Sequence, residues 1–376
     1  MAPAGHGPPR IAVIGAGIAG ASCAAGLVRA GAAVTVFDKS RDVGGRMATR
    51  RVYGVDADGA ERSAQIDYGA PQFAAHRPRF IAAVRRAEAT GCAAAWRQQV
   101  YAPWPAPALR DGFVAVPNMP ALCRHVLADV PLRAGRAVQR LHRDALGWQL
   151  ALVDGSSAGP FDQVMLALPP AQAALLLAGH QDEWADALAA VRMAPCWALM
   201  AVTDDVDWPW DAAEPERGPL ALVSRNDRKP GRDGPLGLAA WTAHATPAWS
   251  AAHLEADCAA VTEALRAALA SLLPTPLPGA RPTTWHHASV HRWRYAVPMD
   301  AAQGGPEWWW DARLGLGVCG DAFGNGTVEA AWCSGDELAD TVAAWLEARS
   351  AGRAVAALKP DTAHAPTPTR LAQGVH

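Results

Sequence analysis

The chain of 376 residues lacks the features that mark several classes of protein. Its seven cysteines are scattered without a C-x-x-C pair, which indicates no structural zinc site and favours a reducing compartment. No run of about 18 apolar residues predicts a membrane span, and the N-terminal MAPAGHGPPR lacks the apolar core of a secretory signal. The formal net charge of -2 provides no basic surface for nucleic acid. We therefore expect a cytoplasmic protein without metal, membrane or nucleic-acid partners, of undetermined oligomeric state.

Tryptophan, in contrast, is abundant, with 16 residues. Trp308, Trp309 and Trp310 are consecutive in GGPEWWWDARLG. Adjacent residues cannot share one face of a helix or a strand, so we expect at least one of them to point outward or into a cavity. We favour an aromatic loop anchor over a surface that stacks on a substrate.

A glycine-rich turn lies near the start of the chain, in IAVIGAGIAG. Gly15, Gly17 and Gly20 form a G-x-G-x-x-G pattern, and Asp38 follows in VTVFDK, near the position of the acid that binds ribose hydroxyls. The apolar run before Gly15 fits a strand buried on both faces. The helix that follows would offer free N–H groups and partial positive charge to phosphates. The pattern predicts an adenine-dinucleotide site, for NAD or FAD, over the alternative of a packing turn without a ligand.

A second strand, turn and helix near the C-terminal end favours FAD over NAD. In LGLGVCGDAFGNGTVEAAW a predicted strand leads to Gly320 and Asp321, and Gly324 and Gly326 precede an amphipathic helix from about Val328. The dipole of such a helix can face the flavin edge where negative charge collects on reduction. Asp321 would accept hydrogen bonds from ribityl hydroxyls or lie near the pyrophosphate. An ordinary strand, loop and helix with a surface aspartate is the alternative.

Four motifs follow one another along the chain: GAGIAG with FDKSRDVGGRM, then IDYGAPQF, HRWRYA and GDAFGNGTVEAAWCSG. Together they resemble the renalase family, especially its bacterial members. The resemblance extends from about Arg10 to Leu346 and is weakest from about Asp204 to Pro282. That family belongs to the amine-oxidase and glutathione-reductase type of flavoproteins. The resemblance implies an α/β fold, with a Rossmann-like FAD-binding domain and an inserted α+β substrate or cap domain.

The predicted domains are discontinuous. We assign 10–75, 105–170 and 288–349 to the FAD-binding domain, and 76–104 and 171–287 to the substrate or cap domain. The Ala/Pro/Thr-rich tail at 350–376 is expected to be disordered.

The resemblance also implies how non-covalent FAD is held. The first glycines would hold the pyrophosphate, Asp38 the adenosine ribose with Lys39 beside it, and the Val138 backbone the adenine. Arg46 would sit over the pyrophosphate and flavin side, where a guanidinium offsets phosphate charge. The cofactor-binding residues implied by the resemblance are Gly15, Gly17, Ala19, Gly20, Asp38, Lys39, Gly45, Arg46, Met47, Gly69, Gln72, Val138, Gly320, Asp321, Val328 and Glu329.

One of these motifs departs from the family pattern. Asp67 and Gly69 would turn the chain beneath the flavin ring, but the D-x-G-A segment continues with Pro71 rather than Gln. Proline has no side-chain donor and no backbone N–H. We expect Gln72 to take over the flavin contact.

The activity implied by the resemblance is the oxidation of isomeric dihydronicotinamides, 2- or 6-dihydro-NAD(P), with O2 reduced to hydrogen peroxide. Hydride transfer of this kind needs positioning more than acid–base residues, and no catalytic residue is assigned. The candidate substrate face is His291, Trp293, Arg294 and Tyr295. On a strand, Trp293 and Tyr295 would share one face, and Arg294 would lie on the other.

Two other functions stay open. The first is an amine-oxidase-type flavoenzyme acting on an amine or a desaturation substrate. Such enzymes commonly place a lysine near the flavin, and this chain has only Lys39, Lys229 and Lys359, none in a suitable predicted strand. The second is a flavin-binding protein without turnover.

Overall fold

The computed structural model describes residues 7–55, 61–101, 108–232, 237–274, 282–299 and 306–351. The chain forms two compact units. Unit 1 comprises 1–43, 126–192 and 298–376, and unit 2 comprises 44–125 and 193–297. The unit boundaries differ from the predicted domains, because 44–75 and 105–125 group with 193–297 rather than with the first glycine turn. The predicted tail lies almost wholly outside the described residues, beyond 351.

The strands in chain order are β1 Arg10–Ile14, β2 Ala33–Phe37, β3 Thr49–Val55, β4 Glu61–Asp67, β5 Ala93–Tyr101, β6 Ala108–Ala115, β7 Leu132–Arg133, β8 Val138–Asp144, β9 Gly147–Leu152, β10 Ser157–Phe161, β11 Gln163–Leu166, β12 Met193–Asp204, β13 Ala212–Ala213, β14 Leu220–Arg225, β15 Leu238–Ala245, β16 Trp285–Pro298, β17 Trp308–Asp311 and β18 Leu316–Cys319. The helices are α1 Ile18–Arg29, α2 Pro78–Ala89, α3 Pro120–Leu127, α4 Pro170–Leu177, α5 Asp182–Ala189, α6 Pro247–Ala252, α7 Cys258–Ala270 and α8 Val328–Ser350, with a 3-10 turn at Asp321–Phe323. In the described part of the chain, no helix is long and apolar enough to span a membrane.

Unit 1 is built on a six-stranded sheet of order β17-β18-β11-β1-β2-β7. β1 pairs in parallel with both β2 and β11, and β11 pairs in parallel with β18. β1 can be central because its last four residues are apolar and fully buried. Helices α1 and α8 are joined by a buried hydrogen bond from Ser22 Oγ to the Trp332 carbonyl oxygen, 2.8 Å long. This arrangement is the Rossmann-like α/β fold that the sequence predicts.

The three consecutive tryptophans form strand β17 at the edge of this sheet, where they pair antiparallel with β18. The expected loop anchor is therefore wrong. The strand alternation sends Trp309 into the core against Trp184 and Phe323, while Trp310 contacts Trp345 of α8. The neighbours of this strand account for Trp309 and Trp310 as packing residues.

Unit 2 is built on a seven-stranded sheet of order β16-β12-β15-β14-β13-β5-β6. One set of its side chains forms a core with helix α7, which contributes Val261, Leu265 and Leu269. The antiparallel ribbon of β3 and β4 packs through Ile66 against Met200 of β12. This packing places β3 and β4 in unit 2, and with them the segment that follows Asp67.

Candidate functional site

In unit 1, a glycine turn joins β1 to the N-terminus of α1. Gly15 has φ +110°, a conformation that favours glycine, and its N–H donates to the Phe37 carbonyl oxygen at 2.8 Å. A Cβ on Gly20 would overlap the Gly15 carbonyl oxygen. Gly17 is the N-cap of α1 and provides no side-chain cap, and Ala19 lies in the first turn. The turn therefore fits a pyrophosphate at the helix N-terminus.

Asp38 follows β2 at the end of the strand beside this turn. Its Oδ2 accepts from the Ala16 N–H at 2.7 Å, and its Oδ1 accepts from the Ser40 N–H at 2.7 Å. Each oxygen keeps a further lone pair, so the carboxylate can still accept a hydrogen bond from a ribose hydroxyl. Lys39 is next to it and exposed. Val138 begins β8 and packs against the core of unit 1.

The C-terminal motif of unit 1 forms the predicted turn and helix. β18 ends at Cys319, the Gly320 N–H donates to Ser334 Oγ at 2.9 Å, and Asp321 is buried at the start of the 3-10 turn. Val328 and Glu329 begin α8.

Thr327 caps α8, since its Oγ1 accepts from the Ala330 N–H at 3.1 Å. Sequence reasoning missed this cap, although a threonine directly before the predicted helix start was the available signal.

In unit 2, the G-G-R-M loop and the D-x-G-A segment contact each other through their backbones. The Ala70 N–H donates to the Arg46 carbonyl oxygen at 2.8 Å. A Cβ on Gly69 would overlap that same oxygen, so only glycine permits the approach. The Arg46 Nη1 donates to the Ala296 carbonyl oxygen of β16 at 3.0 Å. Gly45 has φ +56°, and Met47 is buried.

Gln72 follows this segment and contains an orphaned polar atom. Its Oε1 is buried and has no hydrogen-bond partner among the described residues. Phe73 continues as an isolated bridge to Phe113, and its N–H donates to the Phe113 carbonyl oxygen at 2.9 Å. An unsatisfied acceptor next to Pro71 fits a contact with a bound group that donates a hydrogen bond.

A buried charge cluster lies under the same segment. The Asp67 carboxylate accepts from Lys229 Nζ at 2.9 Å, Arg232 Nη2 at 2.8 Å and Thr49 Oγ1 at 2.5 Å. The side chains of Asp67 and Lys229 are 0% exposed. Asn226 Oδ1 accepts both from the Asp67 N–H at 3.0 Å and from Lys229 Nζ at 2.9 Å. Sequence reasoning set Lys229 aside, and no local pattern links it to a residue 162 positions earlier.

Burial and the neighbouring opposite charges shift the pKa values of this cluster in opposite directions. Burial alone would raise the pKa of Asp67, but Lys229, Arg232 and the Thr49 hydroxyl outweigh it, so the pKa is lowered. Burial lowers the pKa of Lys229, against the attraction of Asp67. Two cations share one carboxylate, which gives the cluster a formal charge of +1.

All four candidate substrate residues lie on β16, and His291 and Trp293 meet in an aromatic cluster. The Tyr68 ring stacks on Trp293 at 5.3 Å between centroids, and His291 contacts Tyr68 at 4.8 Å and Trp293 at 4.4 Å. Trp293 Nε1 donates to the Tyr68 carbonyl oxygen at 2.9 Å. Tyr295 belongs to the same strand face by alternation. The cluster contains Tyr68, which sequence reasoning did not select.

Arg294 is separated from this cluster. It lies on the opposite face of β16, where its Nη1 donates to Glu255 Oε1 at 2.6 Å and its Nη2 donates to Glu255 Oε2 at 2.9 Å. Arg292 also pairs with Glu255, at 3.1 Å. Glu255 is therefore the partner of both arginines, and the structure does not bring Arg294 together with His291 or Trp293.

The histidines of β16 have separate partners. His286 Nε2 lies 2.7 Å from Asp204 Oδ1, and His287 Nε2 lies 2.8 Å from Ser289 Oγ. Burial, and next the charge of Arg50, lower the pKa of both His287 and His291. Among the described residues, no group of three or more His, Cys, Asp and Glu side chains could hold a metal ion.

The chain matches two family models. One describes an NAD(P)-binding Rossmann-like domain and matches residues 13–87. The other describes a flavin-containing amine oxidoreductase and matches residues 95–343.

Solved structures with the same fold include a protein assigned as a protoporphyrinogen oxidase from Exiguobacterium sp. 255-15, with TM-score 0.65, 12% identity and coverage of 90% of this chain and 100% of that one. A reduced UDP-galactopyranose mutase has TM-score 0.66 and 12% identity, covering 89% of this chain and 95% of that one. A putrescine oxidase double mutant has TM-score 0.61 and 10% identity, covering 91% and 100%. Identities this low show the fold alone.

The family model over 95–343 spans more than half of the chain, and in unit 1 the glycine turn and the Asp38 carboxylate fit the dinucleotide form of a flavin. The chain belongs to the flavin-containing amine oxidoreductase family and is an FAD-dependent oxidoreductase.

Proposed function

We propose that this flavoprotein is a renalase-like oxidase of isomeric dihydronicotinamides, 2- or 6-dihydro-NAD(P), with O2 as the electron acceptor. The motifs FDKSRDVGGRM, IDYGAPQF and HRWRYA support this choice within the larger family. The proposed partners are thus a small nucleotide substrate and O2.

One observation carries the proposal: the candidate substrate face is aromatic and carries no carboxylate or lysine among its members. Tyr68, His291 and Trp293 contact one another, and the lowered pKa of His291 leaves it neutral near pH 7. A planar ring can stack on such a surface. Hydride transfer from a dihydropyridine requires no proton to be removed, so a face that offers no carboxylate and no lysine is sufficient.

The residues have the following roles in this proposal. Bound FAD would supply the hydride acceptor and, on reoxidation by O2, the electrons that form hydrogen peroxide. In unit 1, Gly15, Gly17 and Asp38 would hold the pyrophosphate and ribose. In unit 2, Arg46 would offset phosphate charge, and Gln72 Oε1 would accept a hydrogen bond from the cofactor. Trp293, supported by the Tyr68 ring that stacks on it, would position the substrate ring by stacking, and the packed aromatic surface would exclude water from it.

Oxidation of an amine is the second candidate, because Lys229 does lie beside the D-x-G-A aspartate. However, its ammonium donates to both Asp67 and Asn226 and lies 5.6 Å from the centre of the Trp96 ring. Its side chain is 0% exposed. A lysine committed in this way is a structural cation, which favours the dihydronicotinamide reaction over the amine reaction.

Anaerobic mixing of the yellow holoenzyme with candidate reductants tests the proposal. We expect 2- or 6-dihydro-NAD(P) to bleach the flavin rapidly, while 4-dihydro-NADPH and simple amines bleach it slowly. Bleaching by an amine alone would support the second candidate. A flavin that none of these compounds reduces would support a binding protein without turnover.

Arg46→Ala tests the cofactor contact separately from the reaction. We expect the variant to lose bound FAD during gel filtration, because the guanidinium no longer offsets phosphate charge. Arg51→Ala is the matched control, since Arg51 is exposed and donates to Ser63 Oγ at 3.0 Å on the β3–β4 ribbon. Full flavin occupancy in Arg46→Ala would contradict the role of Arg46.

A further inference from the structure

Arg50 is an exposed arginine of β3 whose guanidinium lies over the Tyr68 ring, with 5.1 Å between Cζ and the ring centroid. In the described ranges of the chain it has no carboxylate partner. An arginine stacked on an aromatic face keeps its five N–H donors at the edge of the guanidinium plane. Arg50 can therefore donate two parallel hydrogen bonds to a carboxylate or phosphate without giving up the stacking contact.

The Tyr68 ring under Arg50 is held in a fixed position. Its face stacks on Trp293, and its carbonyl oxygen accepts from Trp293 Nε1 at 2.9 Å. The same oxygen lies 3.2 Å from the His244 Nε2. Contacts at both the ring and the backbone reduce the entropy lost when a ligand binds, because the surface is already ordered.

Two histidines of β16 lie within the electrostatic reach of Arg50. Burial and the charge of Arg50 lower the pKa of His287 and of His291. Both residues are at odd-numbered positions of β16, on the strand face that carries Trp293. An anion placed at Arg50 would oppose the effect of its charge, and both imidazoles could then hold a proton and donate to that anion.

We propose that Arg50, His287 and His291 form an oxyanion subsite next to the Tyr68–Trp293 ring platform, which binds a phosphate group of the nucleotide substrate. The subsite rests on the proposed function for the choice of a nucleotide, since a phosphate and a planar ring in one ligand match the cation and the aromatic platform. A carboxylate attached to a ring shares this chemistry, and the experiment below separates the two sources.

Ligand binding is then coupled to proton uptake. Among the described residues, the charge of Arg50 from β3 acts on both histidines, Ser289 Oγ lies 2.8 Å from His287 Nε2, and the rings of Tyr68 and Trp293 contact His291. His244 of β15 lies behind Tyr68 and stays neutral, with a pKa lowered to about 4 mainly by burial. Arg50 is the charged group whose field lowers the pKa of both histidines, so the proton uptake depends on it.

Calorimetric titration of the oxidised holoenzyme at pH 6 tests the subsite, with nicotinamide mononucleotide, nicotinamide riboside and benzoate as probes. We expect the mononucleotide to bind at least tenfold more tightly than the riboside. We also expect the protein to take up protons when the mononucleotide binds, which is measured by comparing the binding enthalpy in buffers of different ionisation enthalpy. Arg50→Met should remove both the preference and the uptake. Arg51→Met removes the same charge from the neighbouring position of β3 and should change neither.

The remaining outcomes are distinct. The proposal of a phosphate subsite would be overturned if the wild type and Arg50→Met bound the mononucleotide equally well, or if the wild type did not bind the mononucleotide at all. Arg50-dependent binding of benzoate in preference to the mononucleotide would support an oxyanion subsite for a carboxylate. Arg50-dependent mononucleotide binding, together with a flavin that no dihydronicotinamide isomer reduces, would support the subsite and refute the proposed reaction.

Discussion

Asp67→Asn is the substitution that tests the buried charge cluster of unit 2 most severely. Asn keeps the shape of the side chain but removes the carboxylate charge that Lys229 and Arg232 share at 2.9 and 2.8 Å. In the described part of the chain these two cations have no other carboxylate partner. The variant therefore leaves two positive charges buried without a counter-charge.

The expected cost follows from the way in which the folded variant can relieve this repulsion. Lys229 can release its proton, which at pH 7 costs about 4–5 kcal/mol for a group with an ordinary pKa of about 10.4. Keeping the ammonium charged would leave Lys229 and Arg232 both unpaired, and a single broken buried pair already costs about 3–5 kcal/mol, so we expect the lysine to release its proton. We expect Asp67→Asn to lose about 4 kcal/mol of unfolding free energy at pH 7.

The cost should also depend on pH. In the folded variant Lys229 is neutral, whereas in the unfolded chain it is protonated below about pH 10. The unfolded state then binds one more proton, so stability rises with pH. We expect the deficit relative to wild type to shrink by up to about 1.4 kcal/mol per pH unit between pH 7 and 9.

Urea unfolding followed by tryptophan fluorescence, with FAD in excess, measures this difference. Lys229→Met leaves Asp67 paired with Arg232, so it should cost less than Asp67→Asn. The double variant Asp67→Asn/Lys229→Met should lack the pH dependence. An Asp67→Asn deficit equal to that of Lys229→Met at pH 7, or a deficit that stays constant up to pH 9, would refute the charge balance described here.

Two further substitutions test other parts of the structure. Gly20→Ala should weaken FAD binding about tenfold, because the added Cβ would overlap the Gly15 carbonyl oxygen; the ratio of absorbance at 450 and 280 nm measures how much FAD is retained. Gly7→Ala is the control, since nothing lies within 4 Å of that position. Equal FAD retention in the two variants would contradict the turn geometry. Burial lowers the pKa of His244 to about 4 in the folded state. As the pH falls, the imidazole is therefore protonated in the unfolded chain before it is protonated in the folded one. Through this group, the unfolding free energy of the wild type should fall by about 2 kcal/mol from pH 7.5 to 5. His244→Gln should lack that part of the decline in urea midpoints, and an unchanged pH profile would argue against a buried neutral imidazole.

The sequence alone was sufficient to predict those parts of the candidate site whose residues lie close together in the chain. The Gly15 turn, the Asp38 carboxylate and the start of α8 at Val328 all follow from patterns within about 25 residues, because one strand and one helix fix their geometry. The alternation of β16 likewise predicted that Arg294 and Trp293 lie on different faces. Such local patterns predict the fold of unit 1 well.

The sequence alone did not predict contacts between residues that are far apart in the chain. Lys229 reaches Asp67 because it follows β14, a strand of the seven-stranded sheet on which the β3–β4 ribbon packs, and no pattern in a single sequence encodes that proximity. Arg50 is one of many arginines, and only its position over Tyr68 distinguishes it. The tryptophans of β17 show the reverse case, since three adjacent aromatics suggested a loop but pair with β18 as an edge strand.

The reductive half-reaction tests the proposed function most directly. Stopped-flow mixing of the anaerobic holoenzyme with 6-dihydro-NADP and with 4-dihydro-NADPH, at equal concentrations, compares the rates of flavin bleaching for two isomers of equal charge and size. The proposal predicts reduction by the 6-dihydro isomer at least a hundredfold faster, with one NAD(P)+ formed per flavin. Equal rates for the two isomers, or rapid reduction by an amine alone, would contradict it.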